Sequence, residues 1–214
     1  MENIDYSLYL VTDRDLSKGR SLQDVIKAAV KGGVTIVQLR EKECSTREFL
    51  EIAQDVSNFL KPLNIPLIIN DRIDIALAVK ADGLHIGQSD MPYELARKLM
   101  GPDAIIGLSV ESVQDALDAE KLDVDYLGLS PIYSTPTKTD IYHELGLDGI
   151  RDIRKISRHP LVAIGGINKA NTAEIIASGS DGIAVVSAIC SADDPAVAAQ
   201  DLLEQITLGK NEIK

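Results

Sequence analysis

Eight short apolar runs recur along the chain: Leu8–Val11, Thr35–Leu39, Leu67–Ile69, Gly83–Ile86, Ile105–Leu108, Tyr126–Leu129, Leu161–Ile164 and Gly182–Val185. They are rich in Val, Ile and Leu, and they do not alternate strictly between apolar and polar residues. Strands buried on both faces of a parallel sheet read this way. The stretches between them carry a period near 3.6 residues. Leu22, Val25, Ile26 and Ala29 share one helix face, as do Phe49, Ile52, Ala53, Val56, Phe59 and Leu60. Ser45 with Glu48 three residues later fits a capping box, and Pro62 and Pro66 bracket the stop of that helix. Further helices are expected at Asp74–Lys80, Tyr93–Met100, Ser112–Lys121, Gly146–Ile156, Lys169–Ala177 and Pro195–Ile206.

Eight strand–helix units in 214 residues leave about 27 residues per unit, near the lower limit for a (β/α)8 TIM barrel. The expected fold is therefore α/β, a single TIM-barrel domain over residues 1–214 with short tails. An open doubly wound sheet is the alternative; eight regular units without a compositional break favour the barrel.

Composition removes other classes. Twenty-two basic residues against 33 acidic ones give a net charge of −11. That balance argues against nucleic acid, which needs a broad basic surface, and against anionic membranes. It leaves room for small anions held by a few local cations. Two cysteines, Cys44 and Cys190, make no disulfide framework or zinc site and are read as bystanders. The N-terminus shows no signal-peptide pattern, and no apolar stretch reaches bilayer length, so a cytoplasmic protein is expected. The sequence leaves the oligomeric state open, a homo-oligomer included.

In a TIM barrel the chemistry sits at the C-terminal ends of the strands. Gln38 and Arg40 share a side of the second strand, above Val34 and Ile36, and Lys42 follows; this places two cations at the mouth, the alternative being a charged loop solvated by water. Asn70-Asp71 and Gln88 with Asp90 follow the third and fourth strands. Two carboxylates over adjacent strands can hold Mg²⁺ together with water and phosphate oxygens. Each could instead cap the next helix, and Asp90 before Met91-Pro92 suits that role. Gly165-Gly166 with Asn168, and Val186-Ser187 at the last strand end, suit a phosphate drawn close to backbone N–H groups. Thr135-Pro136-Thr137-Lys138, in the longest loop, offers two hydroxyls and an ammonium to oxyanions. His85 reads as a core histidine, while His143 and His159 fall in or near loops.

The segments Tyr9–Arg14, Gln38–Lys42, Ile69–Arg72, His85–Asp90, Gly107–Ser109, Thr135–Lys138, Ala163–Ile167 and Val185–Ile189 together resemble the thiamine phosphate synthase family, in order and over nearly the whole chain. The resemblance implies a transferase that joins hydroxymethylpyrimidine pyrophosphate to thiazole phosphate, or to its carboxylated form with loss of CO₂. Thiamine phosphate and pyrophosphate would be the products. By position, the Gln38, Leu39, Arg40, Glu41, Lys42 segment and Asn70 would hold the pyrimidine diphosphate. Asp71 and Asp90 would be the Mg²⁺ ligands, and Ser109 and Lys138 would contact the pyrimidine or its pyrophosphate. Thr135, Pro136 and Thr137 would serve the thiazole phosphate, with Gly166, Val186 and Ser187 completing that pocket. Arg40, Lys42 and Lys138 would stabilise the leaving group. Glu111, Ser130 and Tyr133 depart from the common pattern. A thiazole tautomerase of similar fold would need acid/base groups instead of a diphosphate site. A non-catalytic barrel would only bind thiazole phosphate or product.

Overall fold

The computed structural model describes residues 4–134 and 144–212. Eight parallel strands close into a barrel in sequence order, with the eighth paired to the first. They are β1 (Leu8–Val11), β2 (Ile36–Leu39), β3 (Leu67–Asn70), β4 (Gly83–Ile86), β5 (Ile105–Val110), β6 (Tyr126–Leu129), β7 (Leu161–Ile164) and β8 (Gly182–Val185). Helices follow as α1 (Leu22–Lys31), α2 (Thr46–Leu60), α3 (Ile73–Val79), α4 (Tyr93–Met100), α5 (Val113–Ala119), α6 (Gly146–Ile156), α7 (Thr172–Ala177), α8 (Ser187–Cys190) and α9 (Pro195–Glu212). The TIM-barrel expectation holds. Among the described residues no helix is long and apolar enough to cross a membrane.

The strands read as unbroken apolar runs because both faces are covered. Leu8, Leu10, Val37, Leu39, Leu67 and Ile69 point outward into the layer shared with the helices. Tyr9, Val11, Ile36, Ile68, Ile105, Tyr126, Val162 and Ala184 fill the barrel interior. Alternation then carries the inward row upward from Ile36 to Gln38 and from Ile68 to Asn70. The pairing sets Gln38 beside Ile68, Asn70 beside His85, and Ser109 beside Gly128. An apolar plug below thus gives way to polar side chains near the mouth.

Three serines start helices as their sequence context suggests. Ser21, Ser45 and Ser112 accept the N–H groups of Asp24, Glu48 and Asp115. Each such cap is worth about 1 kcal/mol. The box at Ser45 is only half made by these contacts, because the Glu48 carboxylate binds Arg14.

Some boundaries differ from the sequence reading. Val34 packs in the outer layer, not beneath Gln38, because β2 begins only at Ile36 and strand alternation does not reach back to it. Helix α7 begins at Thr172 instead of Lys169. Asn168 Oδ1 accepts the Ala170 N–H and Asn171 Oδ1 accepts the Asn168 N–H, which holds this stretch in a turn. Helix α9 continues past Ile206 to Glu212 through a stretch whose one large apolar residue, Leu208, is exposed, so it carries no apolar period. Short helix α8 falls where only a strand end was expected.

Candidate active site

The C-terminal ends of the strands enclose a cavity of about 520 Å³. Its wall includes Gln38, Arg40, Lys42, Asn70, Asp71, Asp90, Ser109, Gly166, Val186 and Ser187, so residues far apart in sequence meet at one mouth.

The side over β2–β4 is built from charges. Lys42 Nζ lies 2.5 Å from Asp71 Oδ2. Arg40 Nη1 is 3.6 Å from Asp13 Oδ2, and its backbone N–H donates to Thr12 Oγ1 at 3.1 Å. Asp90 Oδ2 accepts the Gly87 N–H at 2.7 Å, which closes the loop after β4. Burial pushes the Asp90 carboxyl above the usual carboxylate range; the nearby Asp71 charge adds to the rise, while the Gly87 N–H and Lys42 oppose it. Two crowded carboxylates resist being negative together, and a cation between them relieves that repulsion.

The backbone marks Asp71 too. Its φ of 58° is left-handed, a conformation that Asp tolerates better than most residues but which still stores strain. The Asp71 N–H donates to His85 O at 2.9 Å, which helps fix that turn. Neither aspartate caps a helix: α3 and α4 start at Arg72 and Pro92 caps that receive no side-chain hydrogen bond. The capping alternative for both residues is therefore set aside.

The opposite side, over β7 and β8, is built from backbone and small residues. Gly165 and Gly166 both have positive φ, 105° and 64°. A Cβ at Gly165 would come within 2.8 Å of Pro131 Cβ, and one at Gly166 within 2.8 Å of Tyr133 Cβ. The glycines therefore let the loop after β6 lie against the loop after β7, a reason for them that the sequence did not reveal. Asn171 Nδ2 donates to Gly166 O at 3.0 Å and steadies the same turn. Val186 precedes α8, and Ser187 opens it. The first N–H groups of a helix have no acceptor within it.

The floor is more polar than expected. Gln38 and Ser109 face the cavity, with Tyr9, His85 and Tyr126 between them. His85 is half-buried and joins the core to the site, with Nδ1 2.8 Å from Tyr126 Oη and Nε2 2.8 Å from Ser109 Oγ. The core reading of this histidine is thus only half the account. Gln88 Nε2 donates to Ser109 O at 2.6 Å.

Two members of the matched β2 segment turn away from the cavity. Leu39 lies in the outer apolar layer, and the Glu41 side chain, 5% exposed, pairs with Arg14 at 3.0 Å. Thr135, Pro136, Thr137, Lys138 and His143 lie outside the described residues. Of the three departures, Glu111 and Ser130 line the cavity, while Tyr133 packs over Gly166 and reaches Glu174 through its hydroxyl at 3.4 Å. Burial raises both thiols, that of Cys190 up to about 11, which suits neither to be a nucleophile. Sequence reading missed Tyr9 and Tyr126 as site residues, since both sit within apolar runs. Their inward parity on β1 and β6 was the available signal.

A family profile described as thiamine monophosphate synthase matches residues 8–189. The chain belongs to the thiamine monophosphate synthase family. It is 55% identical over 199 residues to a thiamine-phosphate synthase of Albidiferax ferrireducens, spanning 93% of this chain and 91% of that one. A thiamine-phosphate synthase of Syntrophomonas wolfei is 55% identical over 194 residues, 91% of this chain and 93% of the relative. Among solved structures, a thiamine phosphate pyrophosphorylase from Pyrococcus furiosus superposes with a TM-score of 0.87 at 39% identity, over 95% of this chain and 96% of the other. Membership of the thiamine monophosphate synthase family makes this chain an enzyme, a transferase of thiamine biosynthesis.

Proposed function

We propose that the chain couples hydroxymethylpyrimidine pyrophosphate to thiazole phosphate, or to its carboxylated form with CO₂ loss, giving thiamine phosphate and pyrophosphate. The observation that carries this reading is the two-sided mouth: Arg40, Lys42, Asp71 and Asp90 face Gly166, Val186 and Ser187 across one cavity. Two phosphorylated substrates need two anion subsites, with the reacting atoms between them.

The donor set suits Mg²⁺. Asp71 and Asp90 are hard oxygen donors over neighbouring strands, and Mg²⁺ is commonly held by one or two carboxylates with phosphate and water completing its shell. When bound, the ion would neutralise the charge that develops on the departing pyrophosphate. Arg40 and Lys42 would add fixed positive charge to the same group, and Lys42 would exchange Asp71 for a phosphate oxygen. Lys138 would contribute from the loop after β6. Asn70 and Gln38 would orient the pyrimidine end, and Ser109 would meet the ring.

The aminopyrimidine delocalises positive charge, so the bond to pyrophosphate can break before the new C–N bond forms. The thiazole nitrogen is already a nucleophile, and no protein base is required for its attack. Gly166, Val186 and Ser187, with Thr135, Pro136 and Thr137, would hold the thiazole phosphate so that this nitrogen lies against the pyrimidine methylene carbon. The gain is then proximity and preorganised electrostatics.

The test mixes the purified protein with Mg²⁺ and both substrates and follows thiamine phosphate and pyrophosphate. Equimolar release of both products, abolished by chelation, is the expected result. Tight product binding without turnover, or thiazole tautomer interconversion without Mg²⁺ or pyrimidine, would overturn the reading. Running the carboxylated thiazole alongside identifies the preferred acceptor.

A further inference from the structure

A chain of hydrogen bonds crosses the barrel interior beneath the cavity. Gln38 Nε2 donates to Tyr9 Oη at 3.0 Å. Tyr9 Oη and Tyr126 Oη are 2.8 Å apart. Tyr126 Oη is 2.8 Å from His85 Nδ1, and His85 Nε2 is 2.8 Å from Ser109 Oγ. Five residues on five strands are thus linked into the cavity floor, with Gln38 at one end and Ser109 at the other.

Proton counting gives this chain a direction. A phenol has one proton to donate, and a neutral imidazole has one N–H. Tyr9 accepts from Gln38, so its own proton goes to Tyr126, its other hydrogen-bond neighbour among the described residues. The Tyr126 proton then goes to His85 Nδ1, which leaves the imidazole proton on Nε2, donated to Ser109 Oγ. The Ser109 hydroxyl, having accepted, keeps its own proton for the cavity. Run in the opposite sense with Gln38 as placed, the chain would leave the buried Tyr9 proton without an acceptor among the described residues, at a cost of about 1–3 kcal/mol.

The surroundings keep the chain intact. Burial holds the Tyr9 and Tyr126 hydroxyls well above the ordinary phenol range, so both stay protonated. A Cβ at Gly107 would overlap the Tyr126 phenol, and one at Gly128 would stand 3.0 Å from His85 Cε1. Two strand positions are thus kept bare where the chain passes. The apolar inward residues Ile36, Ile68 and Ile105 belong to the same interior cluster as the two tyrosines.

We propose that Tyr9, Tyr126 and His85 are positioning residues that hold His85 as the neutral Nε2–H tautomer and turn the Ser109 hydroxyl into an outward donor, so that the cavity floor selects a heterocycle presenting a ring-nitrogen lone pair. The ligand part rests on the pyrimidine reading above. The tautomer part does not, and the experiment keeps the two apart. Histidine ring ¹⁵N NMR on the unliganded, labelled full-length protein reads the tautomer directly, with the His85 signals assigned by their loss in His85→Asn. The expected state at neutral pH is Nε2–H with a bare Nδ1, and Tyr126→Phe converts it to a mixture of tautomers. An Nδ1–H or imidazolium His85 in the native protein overturns the relay.

Steady-state kinetics read the consequence. Tyr126→Phe should raise KM for the pyrimidine diphosphate about tenfold, the scale of one lost hydrogen bond, and leave KM for thiazole phosphate unchanged. Tyr9→Phe should move the same parameter in the same direction by less, and it serves if Tyr126→Phe does not fold. Equal changes in both KM values, or no change in either, overturn the assignment of selectivity. Absence of any thiamine phosphate synthesis with the expected tautomer present would fault the pyrimidine reading and leave the relay standing.

Discussion

Over β2, β3 and β4 the mouth consists of charged side chains: Arg40 with Asp13, Lys42 with Asp71, and Asp90 on the Gly87 N–H. Over β7 and β8 it consists of Gly165, Gly166, Val186 and Ser187, with the left-handed glycine backbone held by Asn171. On the proposed function the two sides would serve the same kind of ligand, a phosphate, by different means. Charged side chains can be altered with little effect on the fold around them. The glycine side cannot, because its shape is the path of the chain itself.

That contrast can be broken most severely at Asp71. Asp71→Asn keeps the size of the side chain and tolerates the left-handed backbone, yet removes the charge. Turnover should fall by about 10²–10³-fold, the scale of losing one preorganised electrostatic group, with thermal unfolding nearly unchanged. Undiminished thiamine phosphate formation at saturating Mg²⁺ would remove Asp71 from the metal role.

Gly166→Ala should act on the other side in the opposite manner. A φ of 64° and the approach of Tyr133 predict a loss of about 1–3 kcal/mol of folding stability, seen as a lower denaturation midpoint. A rise in KM confined to the thiazole phosphate should accompany it. An unaltered midpoint would mean that the two loops are not locked together as they stand.

Lys42→Met sharpens the comparison at a smaller scale. The Lys42 ammonium pairs with Asp71, so it would compete with a cation bound there. Calorimetry should show Mg²⁺ binding to the free protein tightened by a few-fold, the worth of an exposed ion pair, while KM for the diphosphate rises. Ser187→Ala should have the smallest effect: a loss of thiazole phosphate affinity of about three- to tenfold with the diphosphate side untouched.

The sequence exposed these two sides unequally. The barrel was readable because buried parallel strands leave continuous apolar runs, and Leu8–Val11 or Leu161–Ile164 need no partner to be recognised. Arg40, Lys42, Asp71 and Asp90 could be placed at one rim from strand parity and from the loops after adjacent strands, while their ligand roles came from the family resemblance alone. The role of Gly165-Gly166 was not, since the space they leave is filled by Pro131 and Tyr133, more than 30 residues earlier. Tyr9 and Tyr126 stayed hidden for a similar reason. Their hydroxyls meet only when β1 and β6 face each other across the closed barrel, and a linear pattern treats both as ordinary core aromatics. The start of α7 was misread because Asn168 and Asn171 hold a turn by side-chain hydrogen bonds that compete with helix.

The division of the mouth is tested most directly by separate titrations of the Mg²⁺–pyrimidine diphosphate and the thiazole phosphate into the native protein, Asp71→Asn and Ser187→Ala. A crossed pattern is predicted: Asp71→Asn loses the diphosphate and keeps the thiazole phosphate, and Ser187→Ala does the reverse. Loss of both ligands in either variant, with the fold intact, would contradict two separate phosphate subsites.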